Sequence, residues 1–327
     1  MPSPASICRL TFLLCVSSFL LCSSAVGQSN QIELEPSLRK MQTLDKHQEP
    51  TARNYAIVEL PPKKILQYYP ELKGFVPAIS QDELTSLLAK VGANEDLFLY
   101  NIPNLSSQED VTQEKLDSHG WVQGLPVFTG HYNYVVRAHV SGEGIRFSEG
   151  RTDARWQRID PPVASGFTLA EGFALFPLHF HPFHQTAEKY RYLGRQVLDN
   201  RNDYVVAFSQ EGEKSQLSGV VIVNGVDFPV AYQGIAWIEP DNFQIVRMRI
   251  DLLKPRPEVG SQMTDIQLSE VRLPLVTKPF WLPRDVVVTR PSKDSALREK
   301  HQFFDYRVFT SDAKTVPTAQ PASEKPK

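Results

Sequence analysis

The fold is decided by residues 244–252, which have the sequence Gln244-Ile245-Val246-Arg247-Met248-Arg249-Ile250-Asp251-Leu252. From residue 246 onward every second residue is apolar, and the residues between them are charged. Successive side chains of a β-strand point to opposite faces of its sheet. The stretch therefore predicts an antiparallel strand with a dry face and a solvent-exposed face. The dry face would carry Val246, Met248, Ile250 and Leu252, and the exposed face Ile245, Arg247, Arg249 and Asp251.

Similar strands precede and follow this one, joined by short turns. Asn224-Gly225 is the strongest hairpin signal, because both residues tolerate a positive φ. Further predicted strands occupy residues 134–140, 144–147, 189–198, 204–209, 220–223, 234–239, 264–271, 280–289 and 301–309. Consecutive strands with short links predict an antiparallel meander.

Two short helices are predicted beside the sheet. Ser80 and Glu83 have the spacing of a capping box, and Gly92 provides a stop for a helix that begins there. Between them an apolar stripe recurs at helical spacing and consists of Leu84, Leu87, Leu88 and Val91. A second helix is predicted over residues 168–176, ended by Pro177. The predicted fold class is therefore α+β, mainly β.

Several runs in the second half of the chain resemble exported bacterial proteins with a lipoprotein-carrier-like (LolA/LolB-type) sheet. These runs are residues 191–195, 204–208, 234–238, 245–250, 280–283 and 304–309. The predicted helix over 80–91 resembles the opening helix of an uncharacterised exported group that shares this sheet. The resemblance implies a strongly curved antiparallel sheet, a half-barrel, whose concave face is closed by short helices. It also implies an apolar cavity between sheet and helices that can hold acyl chains.

The residues expected to contact such a ligand lie on the concave face of the predicted sheet. They are Val246, Met248, Ile250, Leu252, Ile266 and Leu268. A cavity lined by apolar side chains suits an apolar ligand. The chain's many aromatic side chains are explained better by core packing than by ligand stacking.

The one local group of residues that suggests a metal or catalytic site consists of histidines. His179, His181 and His184 lie within six residues, and the first two would share a face if this segment were extended. Imidazoles so placed could bind Zn²⁺. No acidic residue lies between Glu171 and Glu188 to orient them, so packing in an aromatic connection is the better interpretation.

The N-terminus predicts export. Residues 10–21 form an uncharged apolar run, too short to span a bilayer, and small residues follow it. We expect a signal peptide over residues 1–27, a loose polar lead-in over 28–59, one half-barrel domain over 60–310 and a disordered tail over 311–327. All three cysteines lie within the signal peptide, so the mature chain would lack thiols. No later stretch is long enough to span a membrane, so we expect no transmembrane span in the mature chain.

Composition narrows the function further. A formal charge of -2 argues against nucleic-acid binding, and the standard nucleophile and phosphate-binding motifs are absent from the sequence. The leading hypothesis is a non-enzymatic protein of the cell envelope, periplasmic or extracellular, that binds a lipid or another apolar ligand and requires no cofactor. An envelope protein is a possible partner. The alternatives are a structural or interaction module with a filled core, and a metal-dependent hydrolase using the three histidines.

Overall fold

Twelve strands form one antiparallel sheet in the described part of the computed structural model, which covers residues 56–308 apart from 103, 142–143, 162–168, 212–213, 216, 218, 224–225, 275 and 293. The strands are β1 (Val76–Pro77), β2 (Leu105–Asp117), β3 (Phe128–Ser141), β4 (Gly144–Thr152), β5 (Glu188–Leu198), β6 (Arg201–Gln210), β7 (Gly219–Val223), β8 (Val226–Ile238), β9 (Ile245–Leu253), β10 (Met263–Val271), β11 (Phe280–Pro291) and β12 (Ser295–Val308). The predicted fold class, a mainly β half-barrel with helices on its concave face, is confirmed.

The strand order shows how the sheet is assembled. Neighbouring strands follow the order β1-β5-β6-β8-β9-β10-β11-β12-β2-β3-β4, and β7 pairs with β8 beside this path. The chain therefore forms a meander from β5 to β12, and its last strand returns to lie against β2. This places the early strands β2–β4 at one margin of the sheet and leaves the sheet open.

Helical segments lie on both faces of the sheet. The outer face carries two 3-10 turns, η1 (Ile57–Glu59) and η2 (Pro70–Leu72), with α1 (Pro62–Tyr68) between them. The concave face carries α2 (Leu84–Asn101) and the 3-10 helix η3 (Phe173–Phe180), and α3 (Pro182–Gln185) follows η3. No helix in the described ranges combines the length and apolarity needed to cross a membrane.

The prediction that one face of β9 is exposed to solvent is wrong. Arg247, Arg249 and Asp251 are all buried, because the segment 57–72 covers this side of the sheet. Ile57 and Tyr69 from that segment pack in one apolar cluster with strand residues. The charges are accommodated by ion pairs instead of water, which the alternation of residues alone does not reveal. Ile57 also lies inside the folded unit, although residues 28–59 were expected to form a loose lead-in.

A β-bulge changes the face of one predicted ligand residue. The pairing of β8 with β9 shifts register between Trp237 and Ile238, opposite Val246. Val246 consequently joins Trp237 in the outer cluster, whereas Ile245 belongs to the concave one. The extra residue of a bulge interrupts the alternation of side chains, so the prediction for the first part of this strand is wrong.

The first helix is longer than predicted. Ser80 does not cap it, because α2 begins at Leu84 with Glu83 at the N-cap position and without a side-chain cap. Gly92 lies inside the helix and does not end it. A Cβ atom there would stand 2.8 Å from Gln185 Nε2 and 3.2 Å from the Phe180 carbonyl oxygen. The glycine thus permits close packing of α2 against the η3–α3 segment.

Other predictions have mixed outcomes. The hairpin of residues 134–140 and 144–147 is confirmed within β3 and β4, but β2 was not predicted.

The predicted second helix is a 3-10 helix that includes Pro177, and residues 162–168 lie outside the described ranges. Val223 pairs with Val226 as expected for a hairpin, although its turn residues 224–225 are not described. The predicted signal peptide and tail also lie outside the described residues.

Candidate functional site

A cavity lies at one end of α2, between this helix and the sheet. Its volume is about 220 Å³. The helix contributes Glu95 and Phe98 to the cavity wall. Strand β9 contributes Ile245, and strand β10 contributes Leu268. The connection from β10 to β11, together with the first residues of β11, closes the opposite wall. The cavity is thus bounded by one helix and by the ends of three neighbouring strands.

The apolar part of the wall follows from the helical spacing of α2. Val91, Phe98 and Ile102 face the core together with Leu87, which places the last turns of α2 against the concave sheet. Phe98 meets the ring of Phe280 edge-on, with centroids 5.8 Å apart. These contacts fix the helix end over the sheet and leave the space beside it open.

Polar groups occupy part of the same wall. Asn94, Asn101 and Gln244 line the cavity, and so does Lys278 in the connection before β11. The Asn94 side chain donates a hydrogen bond to the Asn242 carbonyl at 2.8 Å, which holds the β8–β9 turn against the helix. The cavity therefore combines apolar and polar surface, as a site for an amphiphile requires.

Glu95 is the unusual member of this set. It occupies a core-facing position four residues after Val91 and is 5% exposed. Within the described residues it has no hydrogen bond and no ion pair. Burial raises the pKa of its carboxyl group from 4.5 to about 8. A carboxyl group in these surroundings is neutral at neutral pH and can donate one hydrogen bond.

Most of the predicted ligand residues are core residues. Met248, Ile250 and Ile266 pack in the concave cluster, and Leu252 is also buried. Of the six predicted residues, Leu268 lines this cavity. A role of the other residues in ligand binding stays a prediction.

The three histidines have separate surroundings. His179 is buried among aromatic rings, and its Nδ1 lies 2.8 Å from Glu188 Oε1. His181 Nε2 lies 3.2 Å from Asp96 Oδ1. Burial, reinforced by His181, lowers the pKa of His184 to about 4. Because residues 179 and 180 are helical, the extended geometry needed for a shared face is absent. Across the ranges described, no cluster of three or more metal-ligating side chains could hold an ion.

A buried ionic network, which the sequence did not indicate, joins three strands. Glu109 Oε1 lies 2.6 Å from Arg151 Nη2 and 2.7 Å from His301 Nδ1. His301 Nε2 lies 2.7 Å from Glu299 Oε1, which also accepts a hydrogen bond from the Ala170 backbone N–H. Burial opposes the charge of His301, but Glu299 and Glu109 hold its pKa above its usual value. The network links β2, β4 and β12 and is enclosed, so its evident role is structural.

Comparison with known proteins gives likenesses of fold. No protein-family model matches the chain, and no curated protein does. Similar solved structures include a DUF1329 family protein from Desulfovibrio piger, at 12% identity and a TM-score of 0.39, covering 72% of this chain and 95% of that one.

Two further structures belong to the groups that the sequence resembles. One is a putative outer membrane lipoprotein-sorting protein domain from Vibrio parahaemolyticus, at 8% identity and a TM-score of 0.35, covering 68% of this chain and 92% of the other. The second is a LolA superfamily protein from Nitrosomonas europaea, at 11% identity and a TM-score of 0.33, covering 71% and 94%. These likenesses concern the fold, so the site must be argued from the residues of this chain.

Proposed function

We propose that the protein is a non-enzymatic, exported protein of the cell envelope that binds an apolar or amphiphilic ligand at the end of α2. The cavity between α2 and strands β9–β11 carries this proposal, because it places Phe98, Ile245 and Leu268 around one space. Its volume of about 220 Å³ lies below the roughly 300–1,000 Å³ of pockets for drug-sized ligands. A single short chain is the ligand that fits best.

Ligand binding can be tested with a neutral apolar fluorophore, N-phenyl-1-naphthylamine, and with native mass spectrometry of the purified protein. We expect the fluorophore to bind and an apolar molecule to co-purify. Val276→Trp places a large ring at the cavity wall and should weaken fluorophore binding by about tenfold, since it removes the apolar space. Val220→Trp on the exposed side of β7, 57% exposed, is the matched control and should leave binding unchanged.

Absence of fluorophore binding to the native protein, or equal binding by the two variants, would reject the proposed site. Export is tested separately by the intact mass of the protein recovered from the producing cell. Loss of residues 1–27 is expected, and a retained N-terminus would contradict export by signal-peptide cleavage.

A structural or interaction module is the second candidate. It is favoured by the dense packing of α2 and η3 over the concave face, and by exposed apolar side chains at the opposite end of the sheet. Trp121 and Leu125 in the β2–β3 connection are 60% and 86% exposed. An envelope protein would be the partner for such a surface. The fluorophore experiment separates this candidate from the ligand-binding one.

A further inference from the structure

Glu95 is a buried carboxyl group without a partner in the described residues, and it faces a cavity. Buried polar groups in proteins are nearly always hydrogen-bonded, so an exception requires an explanation. Leaving such a group unsatisfied destabilises the fold. The residue is 5% exposed, and it lines the cavity. A ligand that fills the cavity displaces water from this carboxyl group and must then supply its hydrogen-bond partner.

The charged groups around Glu95 decide what kind of partner this is. Lys278, on the connection between β10 and β11, is the other ionisable side chain that lines the cavity, and it is exposed. On α2 itself, Asp96 is directed toward His181, and Lys90 lies over the ring of Phe243. Strands β9 and β10 and helix η3 contribute Ile245, Leu268 and Pro177 to the wall. The cavity thus presents one neutral carboxyl group and one ammonium group.

Both groups donate hydrogen bonds. A neutral carboxyl has one O–H donor, and an ammonium group has three N–H donors and no acceptor. A cationic headgroup would be repelled by Lys278, and it would gain a charged partner only if Glu95 ionised, which burial opposes. An oxygen-bearing headgroup accepts from both residues and leaves Glu95 neutral.

We propose that the cavity binds a short acyl chain by its carbonyl or carboxylate oxygen, with Glu95 as hydrogen-bond donor and Lys278 as a second donor at the rim. This inference rests on the proposed function and adds the headgroup class to it. A free fatty acid and an acyl ester share this chemistry. Because a bound chain excludes water from Glu95, binding also favours its protonated form and weakens when the group ionises.

The test compares octanoate, methyl octanoate and the neutral fluorophore by calorimetry or fluorescence at pH 6.5 and pH 9.5. Octanoate remains ionised over this range, so a change in its affinity reports on the protein. We expect the native protein to bind octanoate about tenfold more weakly at pH 9.5, because Glu95 is then ionised. Tighter binding of octanoate than of its ester would identify a free carboxylate as the preferred headgroup, and the reverse would identify an ester.

Two variants separate the inference from the proposed function. Glu95→Gln should abolish the dependence of affinity on pH, and Glu95→Leu should weaken octanoate binding while the fluorophore still binds. Glu83→Gln near the start of α2, whose side chain is 58% exposed, is the matched control and should preserve the pH dependence. Unchanged pH dependence in Glu95→Gln, or native octanoate affinity in Glu95→Leu, would overturn the inference. If neither the acyl ligands nor the fluorophore bind to the native protein, the proposed function itself fails.

Discussion

The Arg249 guanidinium of β9 lies 2.7 Å from the Glu71 carboxylate of η2, across 178 residues of chain. It also lies 3.3 Å from Asp251 Oδ1, and its side chain is 8% exposed. The pair ties the segment that covers the outer face to the middle of the sheet. Because both groups are buried, removing one leaves an uncompensated charge in the interior.

Arg249→Asp should therefore destabilise the protein strongly. We expect a loss of about 3–5 kcal/mol in the free energy of unfolding, because the variant places an additional carboxylate beside Glu71 and Asp251. Urea denaturation followed by circular dichroism measures this loss. Arg272→Ala removes an arginine whose side chain is 78% exposed and should change stability by less than about 0.5 kcal/mol. Equal effects of the two substitutions would show that the outer face is open to water.

Ile250→Asp tests the concave face of the same strand. Ile250 is 2% exposed and packs in the concave cluster, so an aspartate there must be desolvated or remain protonated. We expect a loss of several kcal/mol in unfolding free energy, and about 2–5 kcal/mol for Ile250→Ala. Ile222→Ala on β7, where the side chain is 58% exposed, is the control. Tolerance of aspartate at position 250 would contradict the assigned register.

Glu95 should make stability depend on pH even without a ligand. Burial raises the pKa of its carboxyl from 4.5 to about 8, so folding favours the protonated form. Its contribution is complete below pH 4.5 and is lost as pH rises toward 8. Glu95→Gln should flatten this part of the stability curve and be the more stable protein at pH 9. Parallel curves for the native protein and the variant would show that Glu95 is solvated.

The buried network around His301 should also make the stability of the protein depend on pH. Substitution of His301 distinguishes its contribution from that of Glu95. Its raised pKa means that it stabilises the fold below its unfolded pKa of 6.5, and this stabilisation disappears as pH rises through the folded value. The loss of unfolding free energy caused by His301→Gln should therefore be larger at pH 6 than at pH 9. His131→Gln affects a histidine whose side chain is 61% exposed and should have a small effect at both pH values. A His301→Gln penalty that does not change with pH would contradict a charged His301.

The sequence predicted strands that carry apolar alternation and missed β2, which does not. β9, β10 and β11 each have an apolar face, so their pattern is visible without knowledge of their neighbours. β2 buries Glu109, Gln113 and Glu114, whose burial depends on partners 42 to 192 residues away. Local periodicity contains no information about such partners, and a strand of this composition resembles an exposed segment.

The sequence analysis also missed the cavity residue Glu95, because the predicted helix was too short. Glu95 follows Val91 by four residues and precedes Phe98 by three, which is a core-facing position in a continuous helix. This spacing was visible in the sequence, but the prediction ended the helix at Gly92. Residues 93–101 were therefore left outside the predicted helix. The outer face was misassigned because arginines usually indicate solvent, whereas here Glu71 and Asp265 neutralise them.

The position of β12 has a consequence for how the protein can be made. This strand is the last one described, and it lies between β11 and β2, pairing with β2 along most of its length. Until residues 295–308 have been synthesised, no strand pairing joins β2–β4 to β5–β11. Each of these two groups of strands then has an unpaired edge where β12 will bind. Unpaired edges recruit strands from other molecules. A chain truncated before residue 295 would therefore accumulate as aggregates, and a peptide with the sequence of β12 could compete for the vacant position during refolding.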